Sequence, residues 1–306
     1  MPGRGGANPW LPVSGCGPAC VPPERRGAGT VRVAWRVFAL TSILLTLLPA
    51  GTLTLATPRP VRVRYWRFTA RCGLVAVGLR LDLVDRRPRG ARRIRGALMV
   101  ANHISFFDVL AVAAVSPARF VAKREVLTSG AVGPLLRCFG VLPHRRGALR
   151  ELPTTLARVS GLLRRGRPVV VFPEGTTWCG RGAGRFRPAF FQAALDTGAP
   201  VLPIHIGYHR DGRPVTTPGY LGDDELGDTF RRVLRARGLT VRVEVHPPQP
   251  PAGDRRQLAA HCEALIRPDR RHWERGRPRG YPGLRSCPST STTPPPPRWS
   301  PKLSRR

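Results

Sequence analysis

An apolar run, Ala97-Leu98-Met99-Val100, leads straight into Ala101-Asn102-His103-Ile104-Ser105-Phe106-Phe107-Asp108, and a mostly apolar helical stretch from Phe106 to Val115 follows. A short apolar run, a polar turn and an apolar helix read as the strand, turn and helix of an α/β unit. The ligand crevice of such a unit lies beyond the carboxyl end of the strand, where the chain turns. His103 and Asp108 both fall at or just past that turn, so an imidazole and a carboxylate can meet there. A neutral imidazole held by a carboxylate is a general base for a hydroxyl near neutral pH. Taken alone this spacing is common, and a histidine beside a turn is usually only hydrogen-bonded.

The middle of the chain repeats the alternation. Strand-like segments occupy 97–101, 119–122, 169–172, 201–205 and 241–245. Helix-like segments occupy 106–115, 133–139, 150–164, 188–197, 223–236 and 254–266. This order predicts an α/β domain over 91–267, with helices on the faces of a sheet.

Composition narrows the partners. The chain carries a formal net charge of +33, nearly all from arginine, with Lys123 and Lys302 as the only lysines. The arginine bias, with abundant Ala, Gly and Pro, matches a GC-rich genome as much as a function. Such a charge still favours anionic membrane surfaces, nucleic acid or acidic substrates. The basic residues are spread along the chain and no motif interleaves them with aromatics for base stacking, so no nucleic-acid partner is expected. A non-enzymatic basic coat protein for membranes or nucleic acid is the competing class. Cysteines stand at 16, 20, 72, 138, 179, 262 and 287 without a C-x-x-C pair. They predict reduced thiols in a cytosol-facing protein, with no metal site and no disulfide framework. The acidic group Asp223-Asp224-Glu225 lacks calcium-loop spacing and reads as solvated helix-start charge.

The ends differ from the middle. Residues 1–30 are rich in Gly and Pro and read as a disordered leader. No charge occurs from Val37 to Thr57, so 31–60 is expected to be a membrane-associated or transmembrane segment. Pro49 and Gly51 interrupt it, leaving open whether it spans or breaks into a hairpin within one leaflet. A buried core helix or a late signal peptide is the plainer reading. The arginines just after the run disfavour the second. Residues 61–90 mix arginine with aromatics and predict an interfacial helix and linker. From 268 onward an Arg-, Pro- and Ser-rich stretch predicts a disordered basic tail.

Three further signals join the first. In Val169-Val170-Val171-Phe172-Pro173-Glu174-Gly175-Thr176-Thr177 a buried strand ends in a turn bearing a carboxylate and two hydroxyls. Gly140-Val141-Leu142-Pro143-His144-Arg145-Arg146 carries arginines that suit a phosphate. Val201-Leu202-Pro203-Ile204 is an apolar strand with a proline. Together and in this order the four stretches resemble the glycerolipid acyltransferase family, which includes bacterial 1-acyl-sn-glycerol-3-phosphate acyltransferases. The N-H-x4-D motif is met by Asn102, His103 and Asp108, and F-P-E-G-T by Phe172 to Thr176. The glycine-to-arginine motif is met by Gly140 and Arg146, and the proline segment by Pro203. Arg145 departs from the acidic residue usual before the motif arginine. The run 122–125, Thr177-Trp178-Cys179-Gly180 and Arg185-Phe186-Arg187 look like a subgroup containing lyso-ornithine-lipid acyltransferases.

The resemblance implies a mixed sheet flanked by helices, on the cytoplasmic side of the cell membrane. It implies transfer of an acyl group from acyl-CoA or acyl-ACP to the free hydroxyl of lysophosphatidate, or of lyso-ornithine lipid or another lysolipid, without a cofactor. His103 and Asp108 would be catalytic. Arg146 would bind the acceptor phosphate, Glu174 would position that arginine or the head group, Gly175 and Thr176 would shape the same substrate-binding pocket, and Lys123 or backbone amides would stabilise the oxyanion. Arg187 is a further phosphate candidate. Cys179 and Ser105 are not needed as nucleophiles, because the acceptor oxygen attacks directly.

Overall fold

The computed structural model describes residues 12–21, 27–89, 95–125, 140–145, 147–222 and 224–267. Strands β1 (Leu79–Asp85), β2 (Leu98–Ala101), β3 (Arg119–Lys123), β4 (Leu142–His144), β5 (Val169–Val171), β6 (Val201–Arg210), β7 (Arg213–Pro214) and β8 (Leu239–Val245) form a single sheet. Its order is β1-β8-β6-β2-β5-β3-β4, with β7 folded back on β6. The pairs from β6 through β2, β5 and β3 to β4 are parallel, whereas β6 and β8 run antiparallel. The sheet is therefore mixed.

Helices cover both faces. They are α3 (Arg59–Val77), α4 (Phe107–Val115), α5 (Leu152–Arg164), α6 (Phe191–Leu195), α7 (Leu226–Arg235) and α8 (Arg255–Ile266). Strand β2 shows why. Met99 and Ala101 pack with α3, α4 and α7, while Leu98 and Val100 pack with α5, α6 and α8. A strand buried on both faces needs an unbroken apolar run, which Leu98-Met99-Val100-Ala101 supplies.

The alternating segments expected from the sequence all occur where the structure describes them, and 133–139 lies outside the described residues. Two expectations are corrected. The domain was expected to open at residue 91, but β1 already pairs with β8 along its full length, from Leu79 opposite Leu239 to Asp85 opposite Val245. Leu79, Leu81 and Leu83 alternate with Arg80, Asp82 and Val84, the period-two signature of an outer strand. The second concerns the leader. Within it, Cys16 is buried against Trp178, Cys179 and Leu221. The tail from 268 lies outside the described residues.

The apolar segment forms a helical stretch from Thr30 to Ala56, 27 residues long and apolar enough to cross a bilayer by length and composition. It consists of α1 (Thr30–Ser42), a π-helical turn (Ile43–Leu47), α2 (Leu48–Leu53) and a closing 3-10 turn. Pro49 lies just past the π-helical turn, where its missing N–H removes a bond from the continuous helix. Helix α3 returns alongside: the Tyr65 hydroxyl donates to the Leu47 carbonyl, and the Trp66 ring fills the space a Cβ on Gly51 would take. The hairpin's outward residues, among them Trp35, Phe38, Leu45, Leu53, Val61 and Phe68, are exposed.

Both ends of this hairpin are tied to the domain. The Arg36 guanidinium donates to the carbonyls of Leu234 and Ala236 at 2.6 and 2.8 Å, satisfying the carboxyl end of α7. Gly78, in the left-handed region at φ 85°, leaves room for that guanidinium, which a Cβ would meet at 2.2 Å. At the far end Arg59 donates to the Gly166 carbonyl at 3.0 Å. Replacing Arg36 by Met removes the charged donor from two helix-end carbonyls. It should lower stability by about 2 kcal/mol, read as thermal unfolding in detergent.

Candidate active site

The parallel strands deliver the expected residues to one end of the sheet. Ala101 ends β2, and Asn102 and His103 follow; Val171 ends β5, and Phe172 to Glu174 follow. Lys123 ends β3 opposite His144, which ends β4. Asn102 extends the pairing beyond β2, since its amide donates to the Ile206 carbonyl at 2.9 Å and its side-chain oxygen accepts from the Ile206 N–H at 2.7 Å. The chain thus leaves the sheet with its last backbone partner satisfied by a side chain.

Asp108 stands in the first turn of α4 and is 0% exposed. Its Oδ2 lies 2.9 Å from His103 Nδ1 and accepts from the backbone N–H groups of Ile104 at 2.7 Å and Ser105 at 2.8 Å. Its Oδ1 accepts from the Tyr208 hydroxyl at 2.7 Å. Burial, and then Asp108, push the Tyr208 phenol well above its ordinary pKa, so it stays a donor. With Nδ1 engaged, Nε2 is the imidazole nitrogen available for outside chemistry. The His103 ring also stacks on Phe172 at a centroid distance of 4.0 Å and 16° between planes. Two contacts, one from α4 and one from the turn after β5, therefore fix its orientation.

Glu174 was expected to position the motif arginine or the acceptor head group; it is 4% exposed, and both carboxylate oxygens accept from backbone amides. Oε2 accepts from the His103 N–H at 2.8 Å, and Oε1 from the Gly184 N–H at 3.1 Å. Burial pushes the Glu174 pKa up to about 8, although the two amide bonds pull it down. The same loop returns the contact, since the Trp178 N–H donates to the His103 carbonyl at 2.8 Å.

Gly175 turns at φ 74°, and a Cβ there would strike Pro12 at 2.8 Å with Arg187 Cδ at 3.8 Å. It is a site of close approach that puts the exposed Arg187 beside the turn. Thr176 is half-buried and Lys123 exposed. Arg146 lies outside the described residues; its neighbour Arg145 is exposed and pairs with Glu151 at 3.4 Å. Pro203 is in the sheet interior opposite Val100. Ser105 is fully buried, as is Cys179, which sits beside Cys16. Tyr208 was not anticipated; it stands 100 positions from Asp108 in β6, and nothing local marks it.

A family profile described as Acyltransferase matches residues 85–207. The chain is 32% identical over 212 residues to a lyso-ornithine lipid O-acyltransferase of Pseudomonas aeruginosa, covering 69% of this chain and 79% of that protein. It belongs to the acyltransferase family.

The acyltransferase is also 34% identical over 150 residues to a 1-acyl-sn-glycerol-3-phosphate acyltransferase of Neisseria meningitidis, covering 49% of this chain and 58% of the relative. The fold is that of the Thermotoga maritima acyltransferase PlsC, with a TM-score of 0.57 at 20% identity, covering 80% of this chain and 94% of the other. The expected activity class and sheet architecture are thereby shown.

The raised Glu174 pKa has a definite sign. Between the ordinary value near 4.5 and about 8 the folded acyltransferase holds a proton that the unfolded chain releases, so stability falls as pH rises across that window. One such group contributes at most about 1.4 kcal/mol per pH unit. Glu174→Gln should remove this slope in urea titrations run from pH 5 to 8. It should also turn an amide donor toward a backbone donor, and lower kcat at least about tenfold through loss of His103 placement.

Proposed function

We propose that this acyltransferase moves a fatty acyl group from a thioester to the free hydroxyl of lysophosphatidate, forming phosphatidate. The observation that carries the reading is the His103–Asp108 pair at the carboxyl end of β2, with one imidazole nitrogen committed and the other available. His103 Nε2 takes the proton of the acceptor hydroxyl as its oxygen attacks the thioester carbonyl carbon. Asp108 holds the ring and balances the imidazolium that forms. When the tetrahedral intermediate collapses, the carbon–sulfur bond breaks. The imidazolium returns its proton to the departing thiolate of coenzyme A or of an acyl carrier protein. No protein nucleophile enters.

Basic side chains surround this edge of the sheet. Lys123 ends β3, Arg145 follows β4 and Arg187 lies beside Gly175. Arg146, outside the described residues, is the residue proposed to bind the acceptor phosphate. A dianionic head group suits such a rim. Lys123 or a backbone amide would meet the developing oxyanion. Gly175 and Thr176 would shape the wall of the pocket, and Glu174 acts on it only by positioning His103.

A second acceptor, lyso-ornithine lipid, is supported by a different observation. Matches to lyso-ornithine lipid O-acyltransferases extend over 79% of the Pseudomonas aeruginosa protein and 93% of that of Rhodobacter capsulatus. Purified enzyme given acyl-CoA or acyl-ACP with each lysolipid separates the two. Faster acylation of lyso-ornithine lipid would replace the first reading.

The exposed apolar row of the hairpin supports a position at a membrane. A helix of 27 residues is about 40 Å long. Anchorage of the chain near both of its ends, by Arg36 and Arg59, supports a segment lying along the domain within one leaflet. The catalytic edge would face the cytoplasm, where acyl thioesters are made.

His103→Ala should abolish acyl transfer while the protein remains folded, and Asp108→Asn should lower kcat by about 10³ or more by supplying the wrong tautomer. Retained wild-type turnover in His103→Ala would remove the imidazole from the mechanism. Deleting residues 31–60 should shift the protein from the membrane to the soluble fraction at high salt.

A further inference from the structure

Among the described residues, a cluster of thiols lies outside the proposed acyl-transfer machinery. The Sγ atoms of Cys16, Cys20 and Cys179 all lie within 4.8 Å of one another, although 159 positions separate the second and third. Cys16 and Cys179 are buried and Cys20 is half-buried. Local structure explains how the first two come together. A 3-10 turn over Pro18–Cys20, closed by the Cys20 N–H donating to the Gly17 carbonyl at 2.9 Å, brings Cys20 back beside Cys16. Cys179 approaches from the loop after Glu174, and its N–H donates to Cys16 Sγ at 3.4 Å.

We propose that Cys16, Cys20 and Cys179 form a three-thiolate binding site for a soft divalent metal ion of the zinc class. This replaces the sequence expectation of no metal site. Zn–S bonds of about 2.3 Å place tetrahedral thiolate sulfurs about 3.8 Å apart, so the cluster needs only a small contraction. An amide N–H aimed at sulfur favours the thiolate over the thiol. Thiolates also select zinc-like ions over magnesium or calcium. Each thiol loses its proton on binding, and water completes the tetrahedron.

The location gives the site a purpose. Cys179 follows Trp178, whose N–H holds the His103 carbonyl, and Thr177, whose hydroxyl donates to the Tyr220 carbonyl. Tyr220 in turn donates from its N–H to the Ile104 carbonyl at 3.0 Å. A metal on these sulfurs pins the N-terminal segment to the loop that backs the catalytic turn.

The test uses the full chain, purified in detergent without chelator. Elemental analysis should find about one zinc per chain. Exchange for cobalt should produce a thiolate-to-cobalt charge-transfer band and the visible bands of a tetrahedral site. Cys20→Ser, at the half-buried position, should weaken cobalt binding more than about tenfold, since even outer-shell losses cost that much. Cys72→Ser, in α3, should leave it unchanged. Zinc should protect the N-terminal segment from proteolysis in the wild type and not in Cys20→Ser. Metal-free protein without a cobalt band overturns the proposal. So does equal binding by wild type and Cys20→Ser, or a Cys16–Cys20 disulfide found by alkylation without reductant.

Discussion

A carboxylate with no solvent exposure at the start of α4 governs the rest of the site. Burying a lone carboxylate costs several kcal/mol, and the cost is offset only when its oxygens find donors. Asp108 has four: the His103 ring, the N–H groups of Ile104 and Ser105, and the Tyr208 hydroxyl. Its place in the first turn of α4 adds the favourable end of the helix dipole. Two of the donors are backbone groups of the intervening turn. The turn therefore wraps the carboxylate whatever side chains 104 and 105 carry, and the imidazole is drawn in as one more donor. The spacing between His103 and Asp108 is the length of chain needed to fold back onto the acid.

Glu174 repeats the device from the neighbouring strand. Because β2 and β5 pair in parallel, with Val100 opposite Val171, their following turns emerge side by side. Glu174 uses that adjacency to hold the His103 N–H with one oxygen and the Gly184 N–H with the other. Asn102 does the same toward β6. The catalytic turn is thus tied to both of its sheet neighbours by side chains that imitate backbone pairing. Little freedom remains for the proposed base, and a preorganised base avoids reorganisation during proton transfer.

The hairpin of α1 to α3 lies on the face of the sheet that also carries α4. Its inner row, including Ala70, Leu74 and Val77, completes the core, while its outer row leaves Phe38, Leu45 and Phe68 uncovered. One element therefore closes the domain and carries an exposed apolar row. Arg36 reconciles the two tasks, because the single charge that enters the packed side of α1 is met by helix-end carbonyls.

Much of this was readable in the residues. Local patterns mark β2, the turn and α4, because a short uncharged apolar run can be buried on both faces only as a central strand or as helix. The apolar segment and its arginine flanks were legible for the same reason: solvation acts on stretches, and stretches are contiguous. Strand β1 was missed since alternating Leu79, Leu81 and Leu83 among charged neighbours also suits an interfacial linker. Tyr208 on Asp108, Glu174 on the His103 N–H and Cys179 against Cys16 and Cys20 were not legible. Each joins residues 71 or more positions apart. Periodicity and motif spacing carry no record of strand order, and it is strand order that decides which turns emerge together. The amino-acid sequence by itself determined the family, the elements and the chemical groups at hand. Only the tertiary structure decided that one acid orients the imidazole, that the other holds backbone amides of two turns, and that three distant thiols meet.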